Sequence, residues 1–185
     1  MAAKMLDRVR QVLARFRGDR RGVSAVEFAL LAPLMITLYV GCVEVSDGVN
    51  ADRKVSLIAA ALANLSAQVT TISSTEMTNI LDASSAIVSP YSTTQLTVTL
   101  SCIKIDANRN ATVKWSVTRG GTLRSGSIMI PSALAVANSQ LLFGEATYRY
   151  DPPLGYSVTG TINLSDRMYM SPRITAPTYN NTACT

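Results

Sequence analysis

The sequence predicts an α+β fold in which a long N-terminal helix and a second helix pack on a small antiparallel sheet. Three observations predict it. A basic block is followed by an apolar run that lasts to Val43. An apolar stripe at helical spacing comes next, and segments of apolar–polar alternation fill the second half. Helices followed by antiparallel strands make an α+β domain. The 185 residues leave room for one modest domain and a tail.

Charge and hydropathy set the first element. The chain carries 17 Lys and Arg against 12 Asp and Glu, a formal +5. Seven of the basic residues and two of the acidic ones lie in residues 1–22, so the whole excess sits there. The neutral remainder gives no support to a nucleic-acid-binding face, and no nucleic-acid partner is expected. Leu6, Val9, Leu13 and Phe16 recur on one helical side of the block. That pattern suits either a surface lying on anionic lipid or a solvated basic segment. From Val23 to Val43 the chain rises about 30 Å as a helix, enough to span a bilayer. Pro33 should bend it, because the ring removes a backbone donor and clashes with the preceding turn. By the positive-inside rule the basic block stays in the cytoplasm and the C-terminal body is exported.

Three processing readings compete around this span. An ordinary signal peptidase needs small residues after the apolar run, and Cys42 to Asp47 offers no clean site. Lipoprotein processing at Cys42 has Gly41 in its favour, with the aromatic Tyr39 standing where a Leu-like residue is expected. The third site precedes the run: Arg20-Arg21-Gly22-Val23-Ser24-Ala25-Val26-Glu27-Phe28 resembles a type IV prepilin cleavage site. The resemblance implies cutting after Gly22, a new N-terminus at Val23 and a Glu at mature position five, Glu27. Glycine lets an extended backbone fit closely in a membrane protease. An intramembrane carboxylate costs several kcal/mol unless paired, on the order of +3 on insertion scales. A neighbouring subunit's α-amino group would supply the partner; the plainer alternative is that Glu27 snorkels to the headgroups.

The segment Gly22 to Leu34, with Glu27-Phe28 and Pro33, further resembles the opening of TadE-like proteins of the tight-adherence (Tad/Flp) pilus system. Trp115-Ser116, Ile130-Pro131, Glu145 to Tyr150 and Tyr169 to Arg173 resemble later features of that family. Ser171 departs from its Arg-Pro-Arg-like ending. The resemblance implies a type IV pilin-like fold in three parts: a basic cytoplasmic leader at 1–22, a transmembrane and assembly helix at 23–45, and an exported α+β domain at 46–185. It also implies a minor pilin or pseudopilin-like role, with Gly22 and Val23 for processing and Glu27 and Phe28 for subunit assembly. The implied partners are a prepilin peptidase, other major and minor pilins, an assembly platform in the inner membrane, and membrane lipid. The implied location is the bacterial inner membrane, single-pass, with a periplasmic C-terminal domain that enters an extracellular pilus if assembled there. The alternatives are an uncleaved single-span protein whose exported domain binds an envelope partner, and a lipoprotein anchored at Cys42.

In the exported body, Val55, Ile58, Leu62, Leu65 and Val69 form one helical stripe, with Gly48 as a hinge candidate before it. Ser73-Ser74-Thr75-Glu76 reads as a capping box that starts a second helix. Met77, Ile80, Leu81, Ile87 and Val88 face its core, and Pro90 closes it. Leu96, Val98, Leu100 and Cys102 alternate with polar residues as a half-buried strand. After a turn at Asp106–Asn110, Val113, Trp115 and Val117 complete a hairpin. A Gly- and Ser-rich loop spans Arg119 to Ser127, a third strand runs from Gln140 to Tyr150, and a fourth lies within Val158 to Met170. Trp115, Tyr148 and Tyr150 read as core in preference to a binding surface. Glu145 reads as solvent-facing or paired with an arginine.

No active site assembles from these residues. Histidine is absent, which removes Ser/His/Asp and Cys/His sets, and the acidic residues are scattered. No enzyme activity, cofactor or metal is expected. Cys42 falls at the end of the apolar run, where a thiol behaves as a small hydrophobe. Cys102 and Cys184 both fall in the exported, oxidising compartment. A disulfide between them would tie the C-terminus to a strand; their spacing in sequence says nothing of geometry.

Overall fold

A computed structural model describes Arg10, residues 21–153 and residues 160–185. The amphipathic reading of Leu6 to Phe16 lies outside the described residues, as does the first part of the Val158 to Met170 segment. The described residues fall in two compact units, one within Met1–Val43 and one at Glu44–Thr185.

Helix α1 runs Arg21–Ser66, a 46-residue helix with Pro33 inside it. It is the one helix among the described residues long and apolar enough to cross a membrane. In the first unit Val26, Phe28, Leu30, Leu34, Met35, Ile36, Leu38 and Tyr39 are all exposed. Apolar side chains displayed on every side of a helix call for lipid or other helices as their surroundings. Thr37 fits there because its hydroxyl donates to the Pro33 carbonyl at 2.8 Å.

In the second unit α1 buries a stripe of Ala51, Val55, Ile58, Ala59, Leu62 and Ala63. Each fully buried Val, Ile or Leu contributes about 1.5–3 kcal/mol relative to exposure. Leu65 and Val69 depart from expectation: both are exposed, because the helix ends at Ser66 and the stripe turns to Ser66 and Ala67 instead. Gly48 lies within the helix, where an added Cβ would make ordinary contact with Tyr150 at 3.7 Å. Helix α2, Ser74–Ala86, begins at the expected capping box. The Ser73 side chain accepts from the Glu76 N–H, and the Glu76 carboxylate accepts from the Ser73 N–H. Met77, Leu81 and Val88 are buried, with Ile80 and Ile87 packed beside them.

A five-stranded antiparallel sheet has the order β4-β3-β2-β5-β6. Its strands are β2 Leu96–Ile105, β3 Ala111–Arg119, β4 Gly126–Ser127, β5 Gln140–Tyr150 and β6 Ile162–Met170. The two-residue strands β1, Thr71–Ile72, and β7, Thr178–Tyr179, pair in parallel as a separate ribbon. The α+β class expected from the sequence is the one that forms.

Strand β2 is central, so it is covered on both faces where sequence alternation predicted one. One face carries Leu96, Val98, Leu100 and Cys102 into the core shared with α1 and α2. On the other, Thr99 and Ser101 are buried, and their hydroxyls pair with those of Thr118 at 2.8 Å and Ser116 at 2.9 Å. Paired hydroxyls remove the cost of burying them singly. The expected alternation of Val113, Trp115 and Val117 is also interrupted. The β2–β3 register shifts so that Cys102 faces Trp115 while Ile103 faces Val113. Lys114 is the extra residue of a bulge. It leaves Trp115 and Val117 in the helix-side core and moves Val113 to a second cluster with Ile103, Ile105, Leu141 and Phe143.

Candidate functional site

The residues that the resemblance marks for processing and assembly lie at the start of α1. Gly22 and Val23 lie in the helix's first turn, and a Cβ added to Gly22 would meet nothing within 4 Å. Cleavage there would require that turn to unwind. Glu27 is exposed and makes no ion pair among the described residues; Phe28 beside it is 70% exposed. Ala25, Ala29 and Ala32 follow one side of the helix at spacings of four and three, and Glu27 falls on the opposite side at 3.6 residues per turn. The first unit therefore offers one side on which another helix could approach closely and one side bearing a carboxylate. Cys42 is exposed and stands outside the disulfide.

The second unit resolves the remaining readings. Trp115, Tyr148 and Tyr150 belong to the core, at 6%, 3% and 4% exposure. The Trp115 indole donates to the Pro177 carbonyl at 3.2 Å, and the ring lies 5.7 Å from Tyr179. Tyr148 donates to Gln95 Oε1, and Tyr91 donates to the Asp47 carbonyl at 3.1 Å. Burial raises the pKa of Tyr91, Tyr148 and Tyr150, with nearby acidic groups adding to it. Tyr91 and Tyr150 thus meet α1 inside the second unit, at Asp47 and Gly48.

Cys102 and Cys184 are bonded, with their Cα atoms 6.0 Å apart, and both are buried. The tail between β6 and Cys184 reaches back to the end of α1. Arg173 donates its N–H to the Ala67 carbonyl at 3.0 Å and its guanidinium to Asn64 Oδ1 at 2.8 Å. Carbonyls at a helix C-terminus have no intrahelical partner, so Arg173 acts as a cap in trans.

Glu145 takes the paired alternative. Its two carboxylate oxygens accept from Arg124 Nε and Nη2 at 2.8 and 2.7 Å. That hydrogen bonding and the adjacent charge raise the Arg124 pKa. The pair stands in a cleft that sequence reasoning missed, between β2, β5 and the loop after β3. Gly120-Gly121 and Gly126 marked the loop, but nothing local showed that it folds back over the sheet.

No curated protein and no solved structure matches the chain. One family does, and it matches where the apolar helix and its Gly22 and Glu27 lie. Residues 22–63, which carry the resemblance drawn from Gly22 to Leu34 well into the second unit, match the family described as TadE-like protein.

Proposed function

We propose that this chain is a minor pilin or pseudopilin-like component of a Tad/Flp pilus. It is made as a precursor, held in the inner membrane by α1, cut after Gly22 by a prepilin peptidase, and assembled through helix packing, not catalysis. The observation that carries this reading is the TadE-like match over residues 22–63, on a helix whose first-unit side chains are apolar and exposed. Partition into lipid stabilises such a helix, and packing on neighbouring pilin helices offers the same surroundings within a filament. Glu27 gains a reason in that setting, since the amino group of a neighbouring Val23 would neutralise it in an apolar medium. The basic block at 1–22 holds the N-terminus in the cytoplasm and places the second unit in the periplasm.

Mass spectrometry of the N-terminus in cells with and without the prepilin peptidase tests this. The expected mature chain begins at Val23 only where the peptidase is present, and a Gly22→Leu variant stays full length and outside the pilus. A second reading, an uncleaved single-span protein with a partner-binding exported domain, draws on the helical setting of the Gly22–Val23 bond. An intact N-terminus in both strains, with normal behaviour of Gly22→Leu, would establish that reading in place of the first.

A further inference from the structure

The cleft beside Arg124 opens on the face of β2 and β5 opposite the one that joins the core with α1. It is an open cleft of about 340 Å3 lined by Thr97, Thr99, Glu145, Thr147 and the loop residues Gly121 to Arg124. That volume is at the lower end for small-molecule sites, about 300–1,000 Å3. Its floor is the polar half of the sheet. Strands β2 and β5 set Thr97 opposite Thr147 and Thr99 opposite Glu145.

The loop above that floor is fixed in place. Gly120 and Gly126 adopt φ of +77° and +75°, a region L side chains rarely enter. A Cβ on Gly121 would stand 2.5 Å from Thr97 Cγ2 and 3.0 Å from Thr118 Oγ1, so only glycine lets the loop lie this close. The Arg124 N–H donates to Ser116 Oγ at 3.1 Å, and its side chain is locked to Glu145 by two hydrogen bonds. A cleft formed in advance spares a ligand the cost of ordering it.

The lining chemistry selects a ligand class. Arg124 and Glu145 neutralise each other, so an anion would meet the carboxylate and a cation the guanidinium. Thr97 Oγ1 is engaged with the Gly120 carbonyl and Thr99 Oγ1 with Thr118. The hydroxyls of Thr122 and Thr147 have no partner among the described residues. The paired Arg124 retains donors on Nη1, and each Glu145 oxygen retains a lone pair. Leu123, 62% exposed, adds one apolar edge. Donors and acceptors are thus interleaved at short range without net charge. Vicinal hydroxyls on an apolar ring, each able to donate and to accept, complement that pattern. We propose that this cleft binds a short neutral saccharide.

The cleft requires neither cleavage nor assembly, so its test stands apart from the one above. Full-length protein in lipid nanodiscs is titrated with the methyl glycosides of glucose, galactose, mannose and N-acetylglucosamine, their β-linked disaccharides, glucosamine and glucuronate. Saturation-transfer NMR reads binding. The expected result is transfer to at least one neutral sugar, absent with empty nanodiscs. Thr122→Val and Thr147→Val should each weaken binding about fivefold, the value of one hydrogen bond near 1 kcal/mol, with unchanged melting. Arg53→Ala, on the exposed side of α1, should leave it unaltered. The proposal is overturned if no neutral sugar exceeds the empty-nanodisc signal. A preference for glucosamine or glucuronate, or full binding by both valine variants, overturns it equally.

Discussion

At Gly144 the absence of one methyl group decides how closely helix and sheet approach. An added Cβ there would stand 2.6 Å from the Ala59 carbonyl oxygen and 3.2 Å from the Ala63 N–H nitrogen. Backbone atoms of a helix cannot give way as a side-chain tip can, so the helix must lift off the sheet. Ala59, Ala63 and Ala146 are the small partners that make the approach possible, all at 1% exposure or less. Gly144→Val should lower stability by about 2–3 kcal/mol, the upper range for overpacking. Thermal unfolding in nanodiscs would check this, with Gly22→Ala, which meets open space, as the comparison. Nothing in the Phe143-Gly144-Glu145 stretch announces this role, since the clash partner lies about eighty residues earlier. Glu145 shows the same limit: its residue type admitted either a solvent-facing or an arginine-paired reading, and contact with Arg124 alone chose.

At the scale of elements, the strongest local signals held. The box at Ser73 and Glu76 needs only three-residue spacing, so it was legible from sequence and starts α2 as expected. Ser73→Ala should cost about 1 kcal/mol of stability. The backbone and hydroxyl of Ser73 donate to the Glu76 carboxylate, which holds its pKa below the ordinary 4.5. A depressed carboxyl pKa contributes stability that is complete above the unfolded value and is lost as pH falls through the folded one. Melting temperature should therefore drop as pH is lowered from 4.5, and Glu76→Gln should reduce that drop. Asp106, held low by the Asn110 N–H and side chain, acts with the same sign and will leave a remainder. The bulge at Lys114 was less legible. It breaks a period of two, and its location depends on pairing with β2, which lies on another part of the chain. Strand β6, at the edge of the sheet, carries Asp166 and Arg167 on opposite faces, a charge placement that discourages pairing with a further strand.

For the whole molecule, long-range closure comes from the C-terminal tail. The Cys102–Cys184 bond spans 82 residues, for which the chain-entropy model gives roughly 4.5 kcal/mol. With it come the Trp115–Pro177 hydrogen bond, the β1–β7 ribbon and the Arg173 cap on α1. Cys184→Ser should lower stability by about 2–4 kcal/mol and expose residues 171–185 to limited proteolysis first, as read by mass mapping of the cuts. The sequence by itself determined the apolar span, the basic block before it, the class of the fold, the α2 cap and the extent of β5. Each of these rests on near-neighbour chemistry: hydropathy summed over a turn, charge counted over a segment, or a side chain that bonds its own backbone. Only the tertiary structure decided the strand order, the two-sided burial of β2, the hold of Arg173 on α1 and the cleft lined by Arg124 and Glu145. Those depend on which distant segments pack together. That choice is made by the whole core at once, through steric fit at positions such as Gly144 and Gly121, and no local pattern encodes it.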